Sequence, residues 1–426
     1  MKRFLVLSIY YLIFPIFLLI SLPGYLIKMW RRGGVGSGLL ERFGYYRPTL
    51  ADEPQGGLYV HAVSVGEAFI ALKFIREWQK THPEAVVLAV STSTGHQVAR
   101  AFAGPQLRVV YAPLDLVGLP ERCLSRFQPT AVALIEAELW PHFAQVCSRR
   151  HIPLLMLNAR LSPRSEGRYA KVRGITQILF AKLNAMATQN ENDAQRFANI
   201  GVKSDIIHVI GSIKFDVLGD LSSEPRADYA AILDDLRDGK PVVLAASTHA
   251  AEEAMIATAI REAGAFPLIV PRHAERRDEV MRDLRAAGFN PILRTQAAAD
   301  AQGDCYVCDT TGELRDWTQL AQLVIIGKSF LAKGGQNPVE AIAARIPVIT
   351  GPDMSNFADL VKMLQDVNGI SVVESSYLCS QISRLLQDAE LRQKQCEAAY
   401  NCLAVHAGAT ARSVGLVEDI CQQMRS

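Results

Sequence analysis

Leu58-Tyr59-Val60-His61-Ala62-Val63-Ser64-Val65-Gly66-Glu67, followed by an amphipathic stretch to about Lys80 and then by the apolar run 85–90, decides the fold class. A short run of aliphatic and β-branched residues reads as a strand buried on both faces, and the helical period after it returns the chain to begin a parallel neighbour. Apolar runs recur at 107–111, 131–135, 153–157, 185–188 and 206–210. A polar stretch at 218–240 interrupts them. The alternation restarts at 242–246 and continues through 267–270, 291–293, 305–308, 323–326, 347–349 and 370–373, ending in helical pattern. The pattern predicts an α/β protein of two doubly wound, Rossmann-like domains, with the carboxyl ends of both sheets walling a shared central cleft.

The bulk composition agrees with two ordinary domains. With 426 residues, 49% of them hydrophobic, there is ample material for a core. Lys and Arg number 45 against 43 Asp and Glu, a net charge of +2 that gives no sign of a nucleic-acid partner. The eight cysteines are scattered and read as reduced thiols. Cys305 and Cys308 form a C-x-x-C, but without a second pair they read as small buried side chains of a strand.

From Phe4 to Ile27 the chain carries no charge, and it exceeds the roughly 20 residues that cross a hydrocarbon layer. No small-residue cleavage site follows, so the segment is expected to be a retained transmembrane helix; Pro15 and Pro23 leave a hairpin or in-plane helix as alternatives. Lys28, Arg31, Arg32 and Arg42 beyond it outnumber Lys2 and Arg3 before it. That bias places the large soluble part on the cytoplasmic side, with the cations free to meet anionic headgroups of the bilayer. The glycines at 33–38 are a linker rather than a dinucleotide fingerprint, because Leu39 stands where a third glycine is needed.

Chemistry is expected at strand ends. Glu67 falls in the first turn of the first helix, where free amides favour a carboxylate; it reads either as a base or as a helix-start acid behind a Ser64 cap. Glu136 and Glu138 emerge from the fourth strand. Lys214, in Gly211-Ser212-Ile213-Lys214-Phe215-Asp216, is a cation near the hinge, or a surface lysine. In the second domain, Ser247 and His249 follow one strand and Pro271, Arg272 and His273 another, both loops suited to an anion. The run from Gly327 to Glu340 contains a glycine turn, Gly334-Gly335, then Asn337, Pro338, Val339 and Glu340. The glycines let backbone approach a ligand, a helix start supplies amides, and Glu340 reaches for ribose hydroxyls. Gln322 stands where a Walker P-loop needs glycine.

Taken together, HAVSVGE (61–67), EAELWP (136–141), NARLS (158–162), GSIKFD (211–216), VPRH (270–273), TGEL (311–314) and GGQNPVEA (334–341) resemble the Kdo (3-deoxy-D-manno-octulosonic acid) transferases of lipopolysaccharide synthesis. The resemblance implies a GT-B fold and inverting transfer of Kdo from CMP-Kdo to a lipid A precursor such as lipid IVA, with no metal and no cofactor. It implies Glu67 as general base, Glu136 and Lys214 in support of the transition state, and Pro271, Arg272, Gly312, Glu313, Leu314, Asn337, Pro338, Val339 and Glu340 in CMP-contacting loops, to which Ser247 is added. The expected division is an anchor with its basic flank at 1–32, an acceptor domain at 33–217, a linker at 218–240, a CMP-Kdo donor domain at 241–405 and a C-terminal helix at 406–426. Gln336 departs from the family's usual histidine, while His142 and Ser212, in place of usual asparagines, are expected to be peripheral. A GT-B enzyme with a UDP-hexose donor, or a membrane-anchored binding protein, would share the outline.

Overall fold

The computed structural model describes residues 38–47, 56–136, 138–216, 227–296 and 302–424, together with 10–12, 14–16 and 20. The chain forms two compact units, the first of residues 1–216 and 406–426, the second of residues 217–405. Each is built on a seven-stranded sheet in which every pairing is parallel.

In the first unit the strands are β1 (Leu58–Ala62), β2 (Val86–Val90), β3 (Leu107–Tyr111), β4 (Ala131–Ile135), β5 (Leu154–Ala159), β6 (Ala185–Thr188) and β7 (Ile207–Val209). Their order is β3-β2-β1-β4-β5-β6-β7. Strands β1, β2 and β4 are buried along their whole length, which is why each reads as a continuous apolar run rather than an alternation. Leu58, Val60 and Ala62 face one core, shared with Phe74 and Ile75 of the helix Val65–Trp78; Tyr59 faces the other, with Phe127 and Phe143. The first core is completed by Ala409, Val414, Leu416 and Val417 of the helix Ala409–Gln423.

The second unit comprises β8 (Val242–Thr248), β9 (Phe266–Pro271), β10 (Pro291–Leu293), β11 (Cys305–Val307), β12 (Leu323–Ile326), β13 (Val348–Thr350) and β14 (Ser371–Val372), in the order β10-β11-β9-β8-β12-β13-β14. Within the stretch 218–240, expected as a linker, residues Ala227–Arg237 form a helix whose Tyr229 stacks on Trp317 at 4.3 Å and whose Leu233 is buried. Cys305 and Cys308 are buried and free, as are Cys123 and Cys147.

In both sheets the strand order reverses next to the first strand of the unit, between β1 and β4 and between β8 and β12. At such a reversal the connections leave to opposite faces of the sheet and open a crevice at the strands' carboxyl ends.

The transmembrane helix expected over Phe4 to Ile27 does not stand. Among the described residues no helix is long and apolar enough to cross a membrane, and most of that segment lies outside them. Its described part packs on the first unit instead: Tyr10 donates its hydroxyl to Asp115 at 2.8 Å, Tyr11 pairs with His142 at 2.8 Å, and the Phe14 ring lies 6.2 Å from that of Trp140. Arg42, counted among the headgroup-facing cations, is 4% exposed, donates to the Ser91 carbonyl at 2.7 Å and covers the Tyr111 ring. The membrane anchor and the single inner-membrane span deduced from that stretch fall with the helix.

Candidate active site

Glu67 sits at the reversal in the first sheet, three residues past the Ser64 cap of the helix Val65–Trp78. It is buried, and both carboxylate oxygens are engaged: Oε2 accepts the Val63 N–H at 2.8 Å and Oε1 the Ser64 hydroxyl at 2.9 Å, while Ser64 Oγ accepts the Glu67 N–H at 3.3 Å. This is the capping arrangement that the sequence allows, and it locks the side chain in one orientation at the mouth of the loop.

Across the reversal, Glu136 closes β4 with φ at +63°, a left-handed conformation that costs a non-glycine residue strain energy and that clusters at functional sites. Its N–H donates to the Leu157 carbonyl at 2.9 Å, holding the bend against β5. Glu138 is exposed as a residue, yet desolvation around its carboxyl and, after that, the charge of Glu67 push its pKa up. The first sheet thus brings Glu67 and Glu138 within electrostatic reach of one another.

Lys214 is exposed on the turn Ile213–Phe215 that follows β7. Ser212 and His142 are buried, 1% and 2% exposed. Ser212 donates its N–H to His406 at 3.1 Å and its hydroxyl to Asn158 Oδ1 at 3.3 Å; His142 pairs through Nε2 with Glu121 at 3.1 Å.

In the second unit the predicted residues lie at or beyond the carboxyl ends of four adjacent strands, β11, β9, β8 and β12. Ser247 in β8 and Lys328 just after β12 flank the reversal, both with positive φ, +55° and +58°. His249 lies beside them; desolvation, then the neighbouring Lys328 charge, lowers its pKa. Pro271 ends β9, and the exposed Arg272 donates its N–H back to the Thr248 carbonyl at 3.0 Å, joining the two loops.

The glycine turn has an internal reason as well as an external one. Gly334 and Gly335 adopt φ of +114° and +67°, and a Cβ on either would fall 2.4 Å from Asn356 Nδ2 or 2.2 Å from Met354 Sδ. Beyond them Pro338 caps a helix of only five residues, Val339–Ala343, and Asn337 Oδ1 accepts the Val339 N–H at 3.2 Å. Glu340 Oε2 is buried with no hydrogen-bond partner; desolvation, only partly offset by Arg315, raises its pKa. Such an orphaned acceptor suits a ligand hydroxyl. In the loop Gly312, Glu313, Leu314, the Glu313 carboxylate is already engaged, accepting Trp317 Nε1 at 3.2 Å with Arg294 at 3.5 Å. Desolvation opposes its ionisation, but hydrogen bonds from Thr310, Tyr229 and Trp317 together with the Arg294 charge hold its carboxyl below the ordinary range.

Residues 37–217 match the family model described as 3-deoxy-D-manno-octulosonic-acid transferase (kdotransferase). The 3-deoxy-D-manno-octulosonic acid transferase of Haemophilus influenzae is 31% identical over 393 residues, covering 89% of this chain and 90% of its own. The enzyme of the same name from Bordetella pertussis is 31% identical over 415 residues, 92% of this chain and 95% of its own. This chain belongs to the 3-deoxy-D-manno-octulosonic acid transferase family. The crystal structure of Acinetobacter baumannii MurG matches in fold alone, with a TM-score of 0.51 at 13% identity over 86% of this chain and 100% of that one.

As a glycosyltransferase of the Kdo family, the chain also uses residues that its sequence did not single out. Glu252 is fully buried and gathers the N–H groups of His249 (3.1 Å), Lys328 (2.6 Å), Phe330 (3.1 Å) and Leu331 (3.3 Å). Glu253 beside it accepts Arg276 at 2.8 Å and the Thr248 hydroxyl at 3.1 Å. An acidic pair in the first turn of a helix reads as dipole complementation on a wet surface; here it is the internal frame of two Kdo-transferase loops. Among the described residues no group of three or more His, Cys, Asp or Glu side chains is arranged to hold a metal ion.

Proposed function

We propose that the chain transfers Kdo from CMP-Kdo to a lipid A precursor, lipid IVA, by a metal-independent inverting displacement with Glu67 as general base. The observation that carries this reading is the Glu67 carboxylate, fixed by Val63 and Ser64 at the reversal of the first sheet, within electrostatic reach of Glu138, whose pKa is raised by desolvation and then by the Glu67 charge. A carboxylate has about four acceptor sites, so these two bonds leave lone pairs for a hydroxyl proton.

In the proposed step the acceptor hydroxyl gives its proton to Glu67 as its oxygen bonds to the anomeric carbon of Kdo. The bond from that carbon to the phosphate oxygen breaks, and its electron pair leaves with CMP. Glu136 and Lys214 support the transition state, Lys214 by charge. On the donor side, Ser247, Pro271, Arg272 and the loops 312–314 and 337–340 hold CMP; the unpartnered Glu340 Oε2 supports a ribose contact, and the Lys328 and Arg272 cations suit a phosphate.

The test is to incubate the purified protein and its Glu67→Gln variant with CMP-Kdo and a tetraacylated lipid A precursor, and to weigh the products by mass spectrometry. Addition of Kdo by the parent alone is expected. Near-normal transfer by the variant removes Glu67 from the mechanism.

A further inference from the structure

We propose that Lys73 is a positioning residue for the transfer, fixing the loop that carries Lys214 to the helix that carries Glu67. Lys73 belongs to none of the recurring motifs and lies half-buried on the helix Val65–Trp78. Its ammonium donates to the Ile213 carbonyl at 2.9 Å and also to the Asp216 carbonyl, so it grips the backbone on both sides of Lys214. Bonds from a charged donor are stronger than neutral ones, and two carbonyls use two of the three hydrogens of an ammonium.

Other hydrogen bonds of that loop run elsewhere. Asn158 Oδ1 accepts the Ile213 N–H at 2.9 Å and ties the loop to β5; Asp216 accepts the N–H groups of Gly408 and Thr410, each at 2.7 Å, and ties it to the entry of the helix Ala409–Gln423. Lys73 supplies a hydrogen-bonded link to the helix of Glu67. Six residues separate Glu67 from Lys73, about 9 Å along a helix axis at 1.5 Å per residue. The helix therefore acts as a ruler: it sets the backbone on either side of Lys214 at a fixed offset from the base. Displacements of about 1 Å in reacting groups change rates by about a hundredfold, so a tie of this kind governs kcat while leaving the Lys214 side chain itself exposed.

This inference rests on the proposed role of Lys214, and the experiment separates the two. Lys73→Met and Lys73→Arg are made in the parent and in a Lys214→Ala background, and kcat and KM for CMP-Kdo are measured with the thermal midpoint of each. Lys73→Met is expected to lower kcat about tenfold with KM changed less than about twofold. Lys73→Arg is expected to recover part of that loss, and Lys73→Met to cost less than about twofold further once Lys214 is alanine. Lys73→Gln, which keeps a neutral donor, replaces the methionine variant should that fail to fold, with the same coupling expected. Equal losses in both backgrounds, or a lowered thermal midpoint with kcat intact, overturn the positioning role and leave the Lys214 reading standing. A Lys214→Ala enzyme of near-normal kcat overturns both.

Discussion

Glu252 and Lys328, 76 residues apart, meet where the carboxylate of the first accepts the backbone N–H of the second at 2.6 Å. The same buried carboxylate also takes the His249 N–H from the loop after β8 and the Phe330 N–H from the loop after β12, so one side chain sets the geometry on both flanks of the second sheet's reversal. Glu252→Ala is expected to destabilise the protein by about 2–4 kcal/mol, because a buried N–H left without a partner costs about 1–3 kcal/mol. The checks are the urea midpoint and heat protection by CMP; the variant should lose most of that protection, whereas Glu252→Gln, retaining one acceptor oxygen, should lose less.

Glu67 holds a structural post as well as the proposed chemical one, and the two separate by magnitude. Glu67→Gln keeps one acceptor oxygen for Val63 or Ser64, so its thermal midpoint should move by only a few degrees. Transfer should fall about 10²–10⁴-fold, the range a general base supplies. A midpoint drop large enough to account for the lost activity would reduce Glu67 to a cap.

Gly335→Ala should disturb the glycine turn. The substitution places a methyl group 2.2 Å from Met354 Sδ and demands a left-handed φ of +67° from alanine. A cost of about 1–3 kcal/mol is expected, with weaker protection by CMP than in the parent; Gly415→Ala, where an added Cβ meets nothing within 4 Å, serves as the control.

CMP is expected to raise the thermal midpoint in proportion to the logarithm of its concentration once that exceeds the dissociation constant. UDP at equal concentration should not. Equal protection by both nucleotides would move the donor assignment to a UDP-sugar.

Stability should fall on mild acidification. Burial lowers the pKa of His61 to about 4, and burial with the Arg100 and Arg42 charges lowers that of His96 to about 4. Both folded values lie below the unfolded value near 6.5. Between these limits the unfolded chain binds more protons, so stability is full above about pH 6.5 and is lost as pH falls toward 4. The fully buried His61 contributes up to about 3 kcal/mol, and the better screened His96 less. Urea midpoints at pH 7.5 and pH 5 measure the slope, and His61→Gln, which can still pair with Ser91, should flatten it.

The strands were legible because parallel, doubly covered strands must be apolar throughout; each of the apolar runs read from the chain overlaps one of β1 to β14. The placement of Glu67, Glu136 and Lys328 just beyond strands was legible for the same reason, since they follow such runs. What the chain concealed were partners at long range. Lys73 reads as one more cation on a helix, Glu252 as a solvated first-turn acid, and Ser212 as a minor departure, because each takes its meaning from backbone groups that sequence does not place. The N-terminal stretch misled by composition alone: absence of charge was taken for lipid contact, while two of its tyrosines carry hydroxyls that bond to Asp115 and His142.

The helix Ala409–Gln423 completes the core of the unit to which residues 1–216 belong, so the second unit is an excursion within the first. On a ribosome, the strands of the first sheet emerge early yet wait for their last buttress until the whole excursion has been made. The second unit is free to fold during that interval, whereas the first leaves the helix Val65–Trp78 with an uncovered flank, a period of exposure in which holdase chaperones would find their target.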